Sequence, residues 1–493
     1  MLNINQDKKC GEVMSKCPAC GAELSYDIKD EKVYCEYCRS TFDPKELETK
    51  TKYANERKQF EGKSYTCHQC GATLLTFDET AITFCSYCGS QSMIESKMIK
   101  TNNPDFIIPF KKTREECISE YKKLLRKALF VPRYMKEEMT VEKLRGIYMP
   151  YCVYKTSFHG ISSNNGQKYS HRSGNYVYYD IYTIKARVDA DYDGISYDML
   201  SKFSDKYSKG IPFDYKEAIL FNKNYLTGFY ADTKDVNEET YDEEAEKICT
   251  ADTTKHMLKK RDFTKYGCYN PKAGMKVKTR KIGMFPVYFL AIRDSHDKLH
   301  YAVINGQTGK IAADLPIDFM KYILGTLVLA VPIFFLLNLG TVILPKTILL
   351  LSMLAALITW IISSKQLNKV YEKEKKYDDA GYLSVNDEKA LDESKKKNKF
   401  VYYVNGVKKE KYTTPKMPFK QKFKYLYKQL ITIIAGLLVL LSGTIKDEPY
   451  YIVGIISFVI ILFSFKDLVK EHNMLSSNKL PQLEKRGGDE REK

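Results

Sequence analysis

A four-cysteine pattern occurs twice near the start of the chain. Cys17-Pro18-Ala19-Cys20-Gly21-Ala22 leads to Cys35-Glu36-Tyr37-Cys38, and Cys67-His68-Gln69-Cys70-Gly71-Ala72 leads to Cys85-Ser86-Tyr87-Cys88-Gly89. Every cysteine of the first copy recurs fifty positions later, with 14 residues between the two pairs each time. Such pairs, separated by short β-prone segments, predict zinc ribbons: each Cys-x-x-Cys makes a tight knuckle, and two knuckles offer four thiolates to one tetrahedral ion. The expected ligands are Cys17, Cys20, Cys35 and Cys38 for one ion and Cys67, Cys70, Cys85 and Cys88 for the other. The expected cofactor is Zn2+ in two structural sites, with iron a minor alternative because four thiolates accept either metal. Modules this small bury too little apolar surface to fold alone, so metal binding must supply folding free energy.

Eight of the 13 cysteines lie in these pairs, and the other five (Cys10, Cys117, Cys152, Cys249, Cys268) show no partner spacing. Scattered, odd-numbered thiols fit a reducing compartment, where cysteine binds metal rather than cross-links. Met1–Lys16 is polar and lacks the apolar run of a signal peptide.

The net charge of +17 raises the question of nucleic acid, and its location answers against it. Residues 17–94 carry 9 Lys+Arg against 12 Asp+Glu, a net of −3, whereas residues 364–429 carry 18 Lys against 9 Asp+Glu, a net of +9. The second copy, 67–94, has no lysine or arginine. Phosphate binding needs cations around the site, so protein contact or a structural role is the favoured reading, with nucleic acid possible but disfavoured.

With 493 residues the chain predicts several domains. The expected order is a polar lead (1–16), zinc ribbon 1 (17–42), a solvated linker (43–66), zinc ribbon 2 (67–94), an α+β domain (105–316), a transmembrane hairpin (319–364), a lysine-rich loop (365–428), a second hairpin (429–465) and a charged tail (466–493). In the linker, Asp43 and Pro44 form a helix start. In ribbon 2, Thr73 to Phe77 and Ala81 to Phe84 read as strands around an Asp78-Glu79-Thr80 turn. In the α+β domain, 114–130 has helical apolar spacing, 146–154 is strand-like with Pro150 at an edge or bulge, 176–189 alternates, and 238–260 is an amphipathic helix. Residues 284–292 and 300–304 read as strands, with a turn at Asn305–Lys310.

Four apolar stretches (322–339, 347–364, 429–445 and 450–465) follow. Each is slightly short of the roughly 20 residues that span hydrocarbon, and flanking tyrosines and lysines complete it. The fold class is therefore multidomain: two small β zinc ribbons, an α+β soluble domain, and four transmembrane α-helices in two hairpins. By the positive-inside rule the lysine-rich segment, the N-terminal domains and the tail are cytoplasmic, on a multi-pass protein of the cell membrane.

No phosphate-binding Gly-x-x-x-x-Gly-Lys-Ser/Thr, His-Glu-x-x-His or Gly-x-Ser-x-Gly is present, so no nucleotide cofactor and no catalytic residue is expected. His296 and His300 read as a solvent-exposed pair, and Cys152 near His159 as a buried free thiol.

On the Cys-Pro-x-Cys-Gly-Ala and Cys-x-Tyr-Cys knuckles, Ile108-Pro109-Phe110, Gly146-Ile147-Tyr148-Met149-Pro150-Tyr151, Tyr225–Asp232 and Val303–Gly309, the chain resembles a bacterial, mainly Firmicute, family of membrane-associated proteins carrying TFIIB-type zinc ribbons. The resemblance spans about residues 17–316 and implies a membrane zinc-ribbon protein with no catalytic residues to carry over. The expectation is a non-enzymatic, membrane-anchored, cytoplasmic protein-binding or scaffold module, whose partners are the lipid bilayer and another protein. The alternatives are a membrane-associated nucleic-acid-binding protein and, less favoured, an enzyme with an unrecognised site in 105–316.

Overall fold

The computed structural model describes residues 16–49, 59–77, 82, 85–91, 93–137, 143–265, 274–294, 296, 298–338, 344–376, 379–395, 398–404, 407–413, 416–443 and 446–478. The polar lead before Lys16, the Asp78-Glu79-Thr80 turn, all but Ile82 of the expected 81–84 strand, and the tail after Asn478 lie outside those residues.

The first cysteine module is a separate three-stranded sheet of β1 (Leu24–Asp27), β2 (Lys32–Cys35) and β3 (Thr41–Phe42), in that order. Alternation sends Leu24, Tyr26 and Val33 inward, where they share a core with Tyr148, Tyr225 and Leu226. α1 (Pro44–Thr49) follows, its first turn closed by Asp43 accepting from the Lys45 amide at 2.8 Å. The side-chain amides of Asn222 and Asn224 both donate to the Pro44 carbonyl, at 2.8 and 3.0 Å, and fasten the module to the larger body.

The second module is built differently. β4 (Gln59–Cys67) pairs with β5 (Thr73–Thr76) and with β6 (Met93–Asn102), and β5 also pairs with β11 (Tyr230–Ala231). Ribbon 2 is therefore one end of a 12-stranded sheet, ordered β10-β7-β13-β8-β11-β5-β4-β6 along its main path. Residues 59–66, expected in a solvated linker, are strand, because Gln59–Cys67 finds a partner on each side. The rest of the sheet comprises β7 (Phe106–Ile107), β8 (Arg145–Ser173), β9 (Tyr176–Asp198), β10 (Ile219–Leu220), β12 (Thr264–Lys265), β13 (Lys276–Arg293), β14 (Leu299–Asn305) and β15 (Ile311–Ala313). Against it lie α2 (Arg114–Lys127), α3 (Asp205–Gly210) and α4 (Asp242–Lys259). α2 starts with a capping box: Thr113 accepts from the Glu116 amide and Glu116 accepts from the Thr113 amide.

Pro150 sits inside β8 without breaking it. On one side β8 pairs with β11 at Ile147 and Tyr148 and with β9 from Tyr151 onward, so the proline falls where the partner changes. β8 and β9 then continue as a long antiparallel arm, β8 alone having 29 residues, or about 95 Å at 3.3 Å per residue. β12 pairs with it at Gly166 and Gln167, and Ile184 packs on Met257 and Leu258 of α4. Past that point the arm is exposed to its turn at Gly174, and the outermost stretch carries Tyr169, Tyr176, Tyr178 and Tyr179.

The last third holds α5 (Phe319–Asn338), α6 (Pro345–Glu374), α7 (Ala380–Asn386), α8 (Glu388–Lys395), the hairpin of β16 (Asn398–Val404) and β17 (Val407–Thr413), α9 (Phe419–Leu441) and α10 (Glu448–Leu475). Among the described residues α6, α9 and α10 are long and apolar enough to cross a membrane; the apolar run of α5, Phe319–Ile333, is shorter. α6 packs against both α9 and α10, so these three form one bundle rather than two separate hairpins. Small residues permit the close approach: a Cβ on Gly436 would meet the Met353 sulfur at 2.6 Å. Residues 365–428, expected as a loop, hold the end of α6, two short helices, a hairpin and the start of α9.

The bundle is joined to the sheet at the end of α10. Asn478 bridges to Leu299, its side chain reaches Tyr207 Oη and Asp314, each at 2.8 Å, and Asn473 donates to the Ile317 carbonyl at 2.9 Å. His300, expected at the surface, is 2% exposed and bonds through Nδ1 to the Ser476 carbonyl. Residues 300–304 are strand as expected; the burial of His300 comes with the segment that ends α10, 176 residues away.

Candidate metal centres

All four knuckles have the same backbone. The amide of the residue after each Cys-x-x-Cys donates to the carbonyl of the first cysteine: Gly21 to Cys17, Arg39 to Cys35, Gly71 to Cys67 and Gly89 to Cys85, at 2.7–2.9 Å. Each first cysteine in turn donates its own amide to the carbonyl one residue further on, those of Ala22, Ser40, Ala72 and Ser90. Closing this turn requires positive φ at the donor, met by glycine at 76°, 64° and 70° and by Arg39 at 61°. The β1–β2 pairing, which sets Cys35 opposite Leu24, and the β4–β6 pairing, which sets Cys67 opposite Met93, then bring the two knuckles of each module together.

The eight cysteines picked out by spacing converge as two groups of four, with the sulfurs of each group within 4.8 Å of one another. Sγ–Sγ separations are 3.5 Å for Cys17–Cys38, 3.6 Å for Cys20–Cys35, 3.6 Å for Cys67–Cys88 and 3.5 Å for Cys70–Cys85. A disulfide needs about 2.05 Å. A tetrahedron of sulfurs around zinc, with bonds near 2.3 Å, has edges of about 3.8 Å. The donor set therefore fits one tetrahedral, thiophilic ion per group. Crowding divides the thiols of each group: hydrogen bonding to Ser40 holds Cys38 down at about 6, and hydrogen bonding with Cys70, Cys85 and Cys88 drives Cys67 far below its usual value, while Cys20, Cys70 and Cys85 are pushed up.

The two groups differ in setting. In the first, Cys20 is exposed and Cys38 half-buried, and Tyr37 inside the second knuckle is 83% exposed. In the second all four cysteines are buried, in a core with Ile108, Phe285, Phe289 and Tyr301. Tyr87, the counterpart of Tyr37, is 1% exposed and donates to Asp232 at 2.5 Å. Arg293 donates to the Cys88 carbonyl at 3.1 Å. Spacing found all eight thiols and neither of these supports. Asp232 lies 145 residues from Tyr87, and no local pattern marks a carboxylate that will meet a knuckle.

The remaining described thiols stand apart. Cys117, Cys152 and Cys249 are buried and free, and Cys249 accepts from Thr156 at 3.0 Å. His159 is exposed between Asp189 and Asp191, at 3.5 and 3.4 Å, while Cys152 points into a core with Tyr154 and Tyr197.

The chain is similar to an uncharacterised protein of Bacillus subtilis (strain 168), YdjG, at 26% identity over 313 residues, which are 62% of this chain and 90% of that protein. No family model and no solved structure matches the chain. The two four-cysteine groups and the apolar helices together describe a membrane-associated, metal-binding protein.

Proposed function

We propose that this is a membrane-anchored zinc-ribbon protein, of the kind carrying TFIIB-type ribbons, that presents its first ribbon to a protein partner and is not catalytic. The observation that carries this reading is the opposite fate of one duplicated position: Tyr87 is buried against Asp232, whereas Tyr37 is 83% exposed beside an exposed Cys20. A knuckle that only held the fold would have no use for an aromatic side chain in water, and exposed aromatics are what protein interfaces are rich in. The second ribbon is the structural one. Four helices, α5 with the three longer ones, cross the membrane, and the lysines of 364–429 keep the ribbons, the sheet and the C-terminal tail on the cytoplasmic side.

The ribbon surface is acidic, so the partner is a protein with a basic or apolar face rather than a nucleic acid. Deleting residues 17–94 would be a poor test, since β4 and β5 belong to the main sheet. Tyr37→Ala removes the exposed ring and leaves all eight thiols. Cross-linking in cells followed by mass spectrometry should show at least one protein neighbour lost from Tyr37→Ala and retained by a Tyr→Phe change at the same position. An identical neighbour set for both variants and the parent chain would reject the proposal.

A further inference from the structure

The duplicated ribbons place the same four-thiol group in two settings that differ in their reach from solvent. In the second, Cys67, Cys70, Cys85 and Cys88 are all buried in the core of the main sheet. In the first, Cys17 and Cys35 are buried, Cys38 is half-buried and Cys20 is exposed. A thiolate that ligates an ion remains a nucleophile, and its oxidation follows how easily an oxidant reaches it. Cys20 therefore meets a small oxidant directly. A thiol of the second ribbon meets one only when the sheet opens.

The exposed sulfur also has a partner at hand. Cys20 Sγ lies 3.6 Å from Cys35 Sγ, and a disulfide of about 2.05 Å needs a closing move of about 1.5 Å. Cys35 is fixed at the end of β2 opposite Leu24. Cys20 sits in a knuckle that borders open space: a Cβ on the next residue, Gly21, would meet nothing within 4 Å. The move can therefore come from the Cys20 side.

We propose that the first ribbon is a reversible thiol switch, in which a hydroperoxide joins Cys20 to Cys35 and empties that metal site while the second ribbon keeps its ion. The Cys20 thiolate attacks one peroxide oxygen, the O–O bond breaks, the sulfur becomes a sulfenic acid, and the departing oxygen takes a proton and leaves as water. The Cys35 thiolate then attacks that sulfur, the S–S bond forms, and the sulfenic oxygen takes a second proton and leaves as water. The two sulfurs lose two electrons, which reduce one hydroperoxide. Cys17 and Cys38 alone do not close a tetrahedral site. A dithiol reverses the step by exchange. Strands as short as β1 and β2 depend on the metal, so emptying the site frees Leu24, Tyr26 and Val33 from the core shared with Tyr148, Tyr225 and Leu226 and breaks the 3.2 Å bond from the Tyr26 amide to the Thr227 carbonyl. The surface of residues 17–42 then changes with oxidant, and the main sheet does not. This inference does not depend on the protein-partner reading above.

The test treats the full-length, zinc-loaded protein in detergent micelles with hydrogen peroxide, follows released zinc with a chromogenic chelator, and maps the cysteines by mass spectrometry. One of the two ions should leave with formation of a Cys20–Cys35 disulfide, and the other should leave more slowly by about tenfold or more, because its thiols react only through opening of the sheet. Dithiothreitol with added zinc should restore both ions and the starting pattern of limited proteolysis. In a separate measurement, a sub-stoichiometric dose of N-ethylmaleimide should label Cys20 first among the eight. No release, release of both ions at one rate, a first disulfide other than Cys20–Cys35, or Cys20 recovered only as sulfinic or sulfonic acid would overturn the proposal.

Discussion

Tyr87, between two cysteines of the second ribbon, donates its hydroxyl to Asp232, which follows β11, and both are fully enclosed by the sheet. The contact joins a metal knuckle to a strand far away in sequence. It also leaves a carboxylate in an apolar setting, where burial raises its pKa from 3.8 to about 6.

That shift has a sign. Between those two values the native state holds a proton that the unfolded chain releases, so Asp232 contributes most at low pH and its contribution is lost as pH rises through 6. Asp232→Asn still accepts from Tyr87 and carries no charge. Its thermal stability should exceed the parent's at pH 8, by up to roughly 3 kcal/mol, and the gap should narrow to about half of that at pH 5 and close only toward about pH 4. Parallel melting curves of the two proteins across that range check it; a gap independent of pH would assign the effect elsewhere.

Arg39 occupies the left-handed position that glycine fills in the other three knuckles. A non-glycine residue there costs about 1–2 kcal/mol, partly offset because glycine loses more entropy on folding. Arg39→Gly should therefore strengthen the first ribbon by about 0.5–1 kcal/mol. Gly71→Ala should weaken the second by about 1 kcal/mol or more. Chelator competition, following metal release from each site, measures both changes.

How far the sequence reaches can be judged from these two ribbons. The thiols, the knuckles and the β-prone segments between them follow from local chemistry: Cys-x-x-Cys at fixed spacing has few other uses, and glycine marks the turn. The same local reasoning places α2, whose apolar spacing is strong, marks α4 only weakly because its apolar residues do not gather on one face, and finds the membrane-length helices. It does not reveal that ribbon 2 is part of a larger sheet. The pairing of β5 with β11 joins Leu75 to Ala231, and nothing near either residue encodes the other. Burial of Tyr87 but not Tyr37, and of His300, arises the same way, from segments that arrive over long sequence separations.

The outer part of the β8–β9 arm touches little besides itself. The stacking of His171 on Tyr178, with centroids 4.6 Å apart, and the edge-to-face contact of Tyr169 with Tyr179 are internal to the hairpin. Replacing residues 168–180 by a two-residue Asn-Gly turn, which joins the paired Gln167 and Ile181, should leave thermal stability within about 0.5 kcal/mol and the zinc content unchanged. A large loss of stability would show that the arm is packed against something in the native protein.

Cys20→Ser and Cys70→Ser remove equivalent ligands from unequal surroundings. The first ribbon is a separate three-stranded sheet, so Cys20→Ser should expose residues 17–42 to protease while the main sheet stays protected. Cys70 lies in the core that holds Phe285, Phe289 and Tyr301, so Cys70→Ser should open the sheet itself. Limited proteolysis with mass spectrometry separates the two patterns.

The central claim is that eight thiolates hold two metal ions, and elemental analysis of the purified full-length protein addresses it most directly. The account predicts about two zinc ions per chain, falling to about one in Cys20→Ser. Metal-free protein that keeps its fold, or cysteines recovered as disulfides, would contradict it.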